Sequence, residues 1–232
     1  MRKTVRMALF LLVTAVLAAG CDAAAPAAGG APPDPAQLVR RVPTHDRVVF
    51  LTIDDGTAQD PEFVRLMREL RTPFTMFLTD SMAGSHYRYF DPLHALGNKV
   101  QNHTVTHARL TKLSYEGQRA EICGQQGILE QEFGERPTLL RPPGGRYDAT
   151  TLRAAADCGL PTVVLWSASM QPKGLRYGSA DHRLHPGDII LFHFFTPYEL
   201  HGTTLSAATR TLMRTIAEQG LSVARLEDYL PS

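Results

Sequence analysis

The sequence predicts an α/β fold of about seven parallel strands in a single domain, arranged as a sheet or barrel. Three observations predict it. From residue 47 onward, short apolar runs alternate with helical stretches, the pattern that builds βα units. Gly134, Gly159 and Gly220 stand where helices should stop, because glycine takes the left-handed terminal conformation without steric cost. The polar and aromatic residues with chemistry to offer fall at the ends of the apolar runs. In a parallel barrel those ends gather on one face.

Taken in order, residues 48–53 form the first apolar run and the first expected strand. A helix over 61–71 follows, opened by Pro61, which suits a first helical turn. A strand at 74–79 leads to a helix at 87–96, and a short strand at 99–102 to a long helix at 114–133, stopped by Gly134. The strand at 138–141 ends in Arg141, and the helix at 149–158 stops at Gly159. Strands at 162–166 and 188–193 end in Trp166 and His193. A helix at 205–219, stopped by Gly220, and a last strand at 222–225 complete the pattern. No internal repeat is visible.

The chain of 232 residues, 44% hydrophobic and 20% charged, is long and apolar enough for one well-cored domain. Its formal net charge of +1 gives no electrostatic case for nucleic acid as a partner. Beyond the N-terminus no segment is long and apolar enough to span a membrane. The N-terminus itself reads as an export signal: Arg2, Lys3 and Arg6, an apolar run over 7–19, then Gly20 and Cys21. "LAAGC" resembles a bacterial lipobox, although Ala18 sits where leucine is usual; the alternative is an ordinary signal cleaved near the alanines at 23–25. Residues 1–21 are thus the expected signal peptide, with Cys21 as lipid-bearing residue and lipid anchor the only expected membrane contact. Residues 22–46, rich in Ala, Pro and Gly, are the expected tether, and 47–232 the folded domain. Without Cys21, Cys123 and Cys158 remain as a pair in an oxidising compartment, either bridged or as two buried thiols.

Two short motifs carry the chemistry. Asp54 and Asp55 close the first apolar run in "FLTIDDG", and "NHTVTH" places His103 and His107 four residues apart. Two imidazoles and one carboxylate make a ligand set for a divalent metal with open coordination positions. The other carboxylate is then free for acid–base work on a metal-activated water. Each motif alone has a plainer meaning, since Asp-Asp-Gly suits a turn and His-x-x-x-His a helix face or loop. Two histidines and a carboxylate also serve mononuclear iron oxygenases.

These residues resemble the polysaccharide deacetylase family (the NodB-homology domain, carbohydrate esterase family 4) over roughly residues 47–230. The motifs are Thr52-Ile53-Asp54-Asp55-Gly56, His103-Thr104-Val105-Thr106-His107 and Arg141-Pro142-Pro143-Gly144-Gly145. The resemblance implies a distorted (β/α) barrel, and Asp55, His103 and His107 as ligands of a metal, usually zinc. It implies Asp54 as general base, Arg141 as the residue that pairs with and orients it, and a backbone N–H near Gly144 as oxyanion donor. His193, in Ile190-Leu191-Phe192-His193, would be the general acid. Gly145, Tyr147 and Trp166 join Gly144 as expected substrate contacts. An Arg-Pro-Pro motif and a free aspartate speak against the oxygenase.

The fourth family motif departs from its pattern. Trp166 is kept, but Ser169 and Pro172 stand where the family has aspartates, and Lys173 where it has a second tryptophan; one of those aspartates orients the acid histidine. The expectation is that Ser169 lies near His193 on the metal's face, and that Asp181 or Asp188 could supply a replacement carboxylate. Phe192, Phe194, Phe195 and Tyr198 form either a sugar-stacking wall or core, and the segment 176–187 is read as a substrate loop. His182, His185 and His201 are read as surface residues. Three functions follow: an N-deacetylase of an acetylated polysaccharide (peptidoglycan or chitin-like), a degenerate member that binds metal and glycan, and an O-acetyl esterase on another polysaccharide such as xylan.

Overall fold

The computed structural model describes residues 33–230; the expected signal peptide, Cys21 and the first part of the tether, residues 22–32, lie outside them. Ten strands form one curled, mostly parallel sheet with helices on its outer side. In chain order the elements are β1 (Gln37–Val39), β2 (Val48–Asp55), α1 (Pro61–Leu70), β3 (Thr75–Leu78), α2 (Asp80–Ala83), α3 (Asp91–His94) and β4 (Lys99–Asn102). They continue with α4 (Tyr115–Phe133), β5 (Leu139–Leu140), α5 (Ala149–Asp157), β6 (Thr162–Val164), β7 (Ala168–Gln171) and β8 (Gly174–Tyr177). The last are β9 (Ile189–His193), α6 (Leu205–Glu218) and β10 (Ser222–Val223). The strand order is β1-β6-β5-β4-β3-β2-β9-β7-β8, with β10 paired to the start of β2. Every pairing of these strands is parallel except β7 with β8.

β2 is the axis of the fold. It pairs with β3 on one side and β9 on the other, and its six central residues are buried, as expected of a parallel strand covered on both faces. Alternate residues divide the core. Phe50, Phe77, Val164 and Ile189 pack with Leu226 inside the curl. Leu51, Ile53, Met76, Ile190 and Phe192 pack outward with Phe63 and Met67 of α1 and Leu212 and Ile216 of α6. α4 and α5 cover β5 and β6 through Ile122, Ala154 and Leu140, and a Cys123–Cys158 disulfide with a Cα–Cα distance of 5.1 Å ties α4 to the end of α5. Helix starts are capped as their sequences dictate: Asp60, Ser114, Asp148 and Thr204 each accept a backbone N–H of the first turn.

Three expectations are corrected. The tether does not reach residue 46. Gln37–Val39 adds β1 beside β6, Ala36 and Val42 are buried, and Arg41 pairs with the buried Asp188 at 2.6 Å. Leu38, Val39 and Val42 supply apolar surface that the surrounding Ala/Pro/Gly composition concealed. The helix expected at 87–96 is a 3-10 segment, Gly84–Tyr89, followed by the short α3, because His86 leaves helical geometry and Pro92 cannot continue an existing helix. β7 and β8 were not foreseen; with β1 they make ten strands rather than seven, and β8 occupies the start of the segment read as a loop.

Candidate active site

Asp54 and Asp55 end β2, but the backbone separates them. Asp54 keeps strand geometry and points inward like Thr52. Its Oδ1 accepts from Arg141 Nη1 at 2.7 Å, and the same Nη1 donates to Thr52 Oγ1 at 2.7 Å. Arg141 is fully buried; its Nε and Nη2 donate to the carbonyls of Val164 and Leu165, both at 3.3 Å, and its guanidinium lies 4.2 Å from the Phe77 ring centroid. Asp55 turns away with φ 78°, a left-handed conformation that costs energy in a non-glycine residue. Gly56 follows at φ 93°, where a Cβ would lie 2.8 Å from that of Ala83, so the turn requires glycine.

The histidines leave β4 on a loop held by α4. Asn102 Nδ2 donates to the Ile122 carbonyl (2.9 Å) and to Gln126 Oε1 (3.0 Å), and its Oδ1 accepts the Thr104 N–H at 2.9 Å. Glu121 accepts from the N–H and hydroxyl of Thr106 at 2.8 and 2.6 Å. Thr104 and His107 are left-handed, with φ 71° and 59°. His103 is buried, with Nδ1 2.6 Å from the Arg141 carbonyl. That oxygen only accepts, so Nδ1 carries the proton and Nε2 is the free lone pair. Nothing in the sequence marks this clamp: Gln125 and Gln126 are polar residues of a helix, yet both are buried and engaged by side-chain hydrogen bonds.

Three side chains then converge. Asp55 Oδ1 lies 3.4 Å from His103 Nε2 and 3.5 Å from His107 Nε2. Ligands about 2.0–2.1 Å from a tetrahedral ion are separated by roughly 3.3 Å. Asp55 Oδ1 is buried and has no hydrogen-bond partner, which an ion between the three atoms would correct. Among the described residues, this is the one group of carboxylate, histidine and cysteine ligand atoms close enough to share an ion. Burial alone would raise the Asp55 pKa, but His103, His193 and His107 outweigh it and hold the carboxyl below its usual range. Burial also opposes protonation of His103, yet Asp54 and Asp55 raise its pKa; burial and His103 together lower that of His107. The donor set is that of a borderline divalent ion with positions left open.

His193 ends β9 in register with Asp54 on β2. Its Nδ1 is buried without a hydrogen-bond partner, and the Phe195 ring is 5.0 Å away. Neither candidate carboxylate serves it: Asp188 accepts from Ser167 Oγ and pairs with Arg41, both at 2.6 Å, while Asp181 pairs with His185 at 3.1 Å. Ser169 shares the inward face, but it is in register with Leu191, two residues before His193. Gly144 and Gly145, with φ 62° and 67°, form the turn after Arg141, and a Cβ on Gly145 would lie 2.8 Å from the Trp166 ring. Trp166 is therefore beside the site, 5.8 Å from the Arg141 guanidinium carbon measured to its ring centroid. Tyr147 is half-buried just beyond that turn. Phe192 and Phe194 are core, not a sugar wall, whereas Tyr198 is 91% exposed.

A curled parallel sheet with two histidines, an aspartate and an Arg-paired free carboxylate at its strand ends defines a metal-centred hydrolase. A sequence model described as polysaccharide deacetylase matches residues 41–163, and the chain belongs to that family. An uncharacterised protein of Streptomyces coelicolor is 51% identical over 225 residues, 91% of this chain and 89% of its own. A peptidoglycan-N-acetylglucosamine deacetylase of Bacillus cereus is 26% identical over 161 residues, 66% of this chain and 75% of its own. Among solved structures, a CE4-family pseudoenzyme from Bacillus anthracis superposes with a TM-score of 0.71 at 20% identity, covering 85% of this chain and 70% of its own; that likeness speaks for the fold.

Proposed function

We propose that this chain is a metal-dependent hydrolase that removes N-acetyl groups from GlcNAc-type residues of an extracellular or cell-wall polysaccharide, with zinc as its ion. The observation that carries the reading is the free carboxylate of Asp54, oriented by Arg141 beside the set of Asp55, His103 and His107. When bound there, a divalent ion supplies a polarised carbonyl and a water of lowered pKa. Asp54 is the base that would take a proton from the attacking water, with Arg141 favouring its ionised form. The water oxygen adds to the acetyl carbon, the C–N bond breaks, and His193 gives a proton to the leaving nitrogen. Acetate and a free amine result. The Gly144 N–H is the donor proposed for the acetyl oxygen; Gly145, Tyr147 and Trp166 are the proposed sugar contacts.

Acetate release by residues 33–232, with and without added zinc, tests this on peptidoglycan fragments, chitin oligomers and acetylated xylan. The expected result is release from the amino sugars, abolished by chelation and restored by zinc. Release from xylan alone would make the chain an O-acetyl esterase. A second reading, a member that binds metal and glycan with little turnover, is favoured by the unpartnered Nδ1 of His193. Metal and glycan binding without acetate release would establish it. Export with lipidation at Cys21 completes the proposal; partition of the native protein into membranes, abolished by Cys21→Ala, is its test.

A further inference from the structure

The β7–β8 hairpin and Trp166 enclose a pocket of about 430 Å³ whose lining contains Arg176 and no carboxylate. The register settles which way the pocket's polar residues face. Ser169 is opposite Arg176 on β8 and in register with Leu191 on β9. Ala168 and Met170, the intervening residues of β7, pack into the outer core, so Ser169, Gln171 and Arg176 lie on the inward face that also carries His193. Arg176 is two strand spacings from β9, about 10 Å, and the acid histidine is two residues beyond Leu191, about 7 Å along the strand. A guanidinium on its flexible stem therefore reaches within one sugar ring of the reacting centre. Trp166 connects the pocket to that centre, since its ring closes against Gly145. Arg176 is exposed at the pocket edge and is not engaged by any of the ion pairs that occupy Arg41, Arg136 or Arg141.

We propose that this pocket is a subsite for a sugar bearing a carboxylate, with Arg176 holding the acid and Trp166 the sugar face. The inference rests on the deacetylase reading for its place beside the acetylated sugar, and it narrows the substrate from neutral acetylated glycans to acid-bearing ones. The chemistry is specific: a planar guanidinium matches a carboxylate with two parallel hydrogen bonds, and an apolar aromatic face suits the C–H face of a pyranose. Ser169 and Gln171 add neutral donors and acceptors without a competing negative charge.

The test uses the zinc-loaded protein and two acetylated amino-sugar oligomers, identical except that one carries an ether-linked carboxylic acid and the other its neutral amide. Calorimetry at low ionic strength measures binding, and acetate release gives kcat and KM. The wild type should favour the acid form by roughly 10- to 100-fold in Kd or KM, as for a hydrogen-bonded charge. That ratio should fall to about one in Arg176→Ala and Arg176→Gln, survive in part in Arg176→Lys, and shrink with added salt. Equal binding of acid and amide by the wild type, or a ratio that persists in Arg176→Gln, overturns the subsite. Acid preference through Arg176 with no acetate released would leave the subsite standing and defeat the deacetylase reading. Equal acetate release from both oligomers would do the reverse.

Discussion

Asp54 and Asp55 are adjacent in sequence yet have opposite surroundings. Asp54 is 2% exposed and bound to a buried guanidinium; Asp55 is held left-handed against two imidazoles. Substitution should separate them. Asp54→Asn retains an oxygen for Arg141 but cannot take a proton, so bound zinc by elemental analysis should stay near one per chain while kcat falls at least about 100-fold. Asp55→Asn should lower zinc content first. Zinc loss in Asp54→Asn with retention in Asp55→Asn would exchange the two assignments. The residue types at this site were legible because metal and proton chemistry allow few alternatives. The register that sets Ser169 beside Leu191 rather than His193 was not, because β7 alternates over only four residues before Pro172, too short a run to stand out from a loop.

At the scale of elements, side chains that read as surface hold the structure together. Glu227, in the turn after β10, enters the floor of the sheet, where its Oε1 accepts from Thr75 Oγ1 at 2.9 Å and Gln101 Nε2 at 3.1 Å, while Oε2 is buried without a partner. Burial raises its pKa above the ordinary 4.5. Above pH 4.5 the unfolded chain releases a proton that the folded one retains, so stability falls as pH rises, until the folded group also ionises. Glu227→Gln should therefore weaken the fall in Tm between pH 5 and 8. Parallel curves for the two proteins would show that the carboxylate is not the cause. The disulfide has the same character. It closes a separation of 35 residues, worth on the order of 3–4 kcal/mol in the chain-entropy estimate. Wild type in reductant and the Cys123→Ser/Cys158→Ser protein should melt together, several degrees below the oxidised wild type; coincident melting of all three would exclude a stabilising bridge. From sequence, two cysteines in separate helices left the bridge open, since only the packing of α4 on α5 brings them together.

For the whole molecule, the boundary of the fold is the main lesson. Composition marked residues 22–46 as unable to fold, yet β1 and Arg41 are built into the sheet beside β6 and Asp188. A fragment starting at residue 47 should lose β1 and leave Asp188 without its guanidinium partner, and melt well below a fragment starting at residue 33. Equal Tm values by calorimetry would restore the later boundary. Most βα units were legible because each announces itself locally, whereas a three-residue strand that pairs across the chain, or a four-residue hairpin strand such as β7 or β8, does not. Arg141 carries a different consequence. Its guanidinium touches β2 and the carbonyls at the end of β6 and rests on β3, and its backbone carbonyl fixes His103. A protein that had abandoned catalysis would still need this residue to stay folded. Its Arg-Pro-Pro signature is therefore a certificate of architecture, and a gene in decay should surrender Asp54 or His193 long before it. On the proposed roles, surveys that score activity in such sequences should weight those two positions above the arginine, which serves the fold as well as the base.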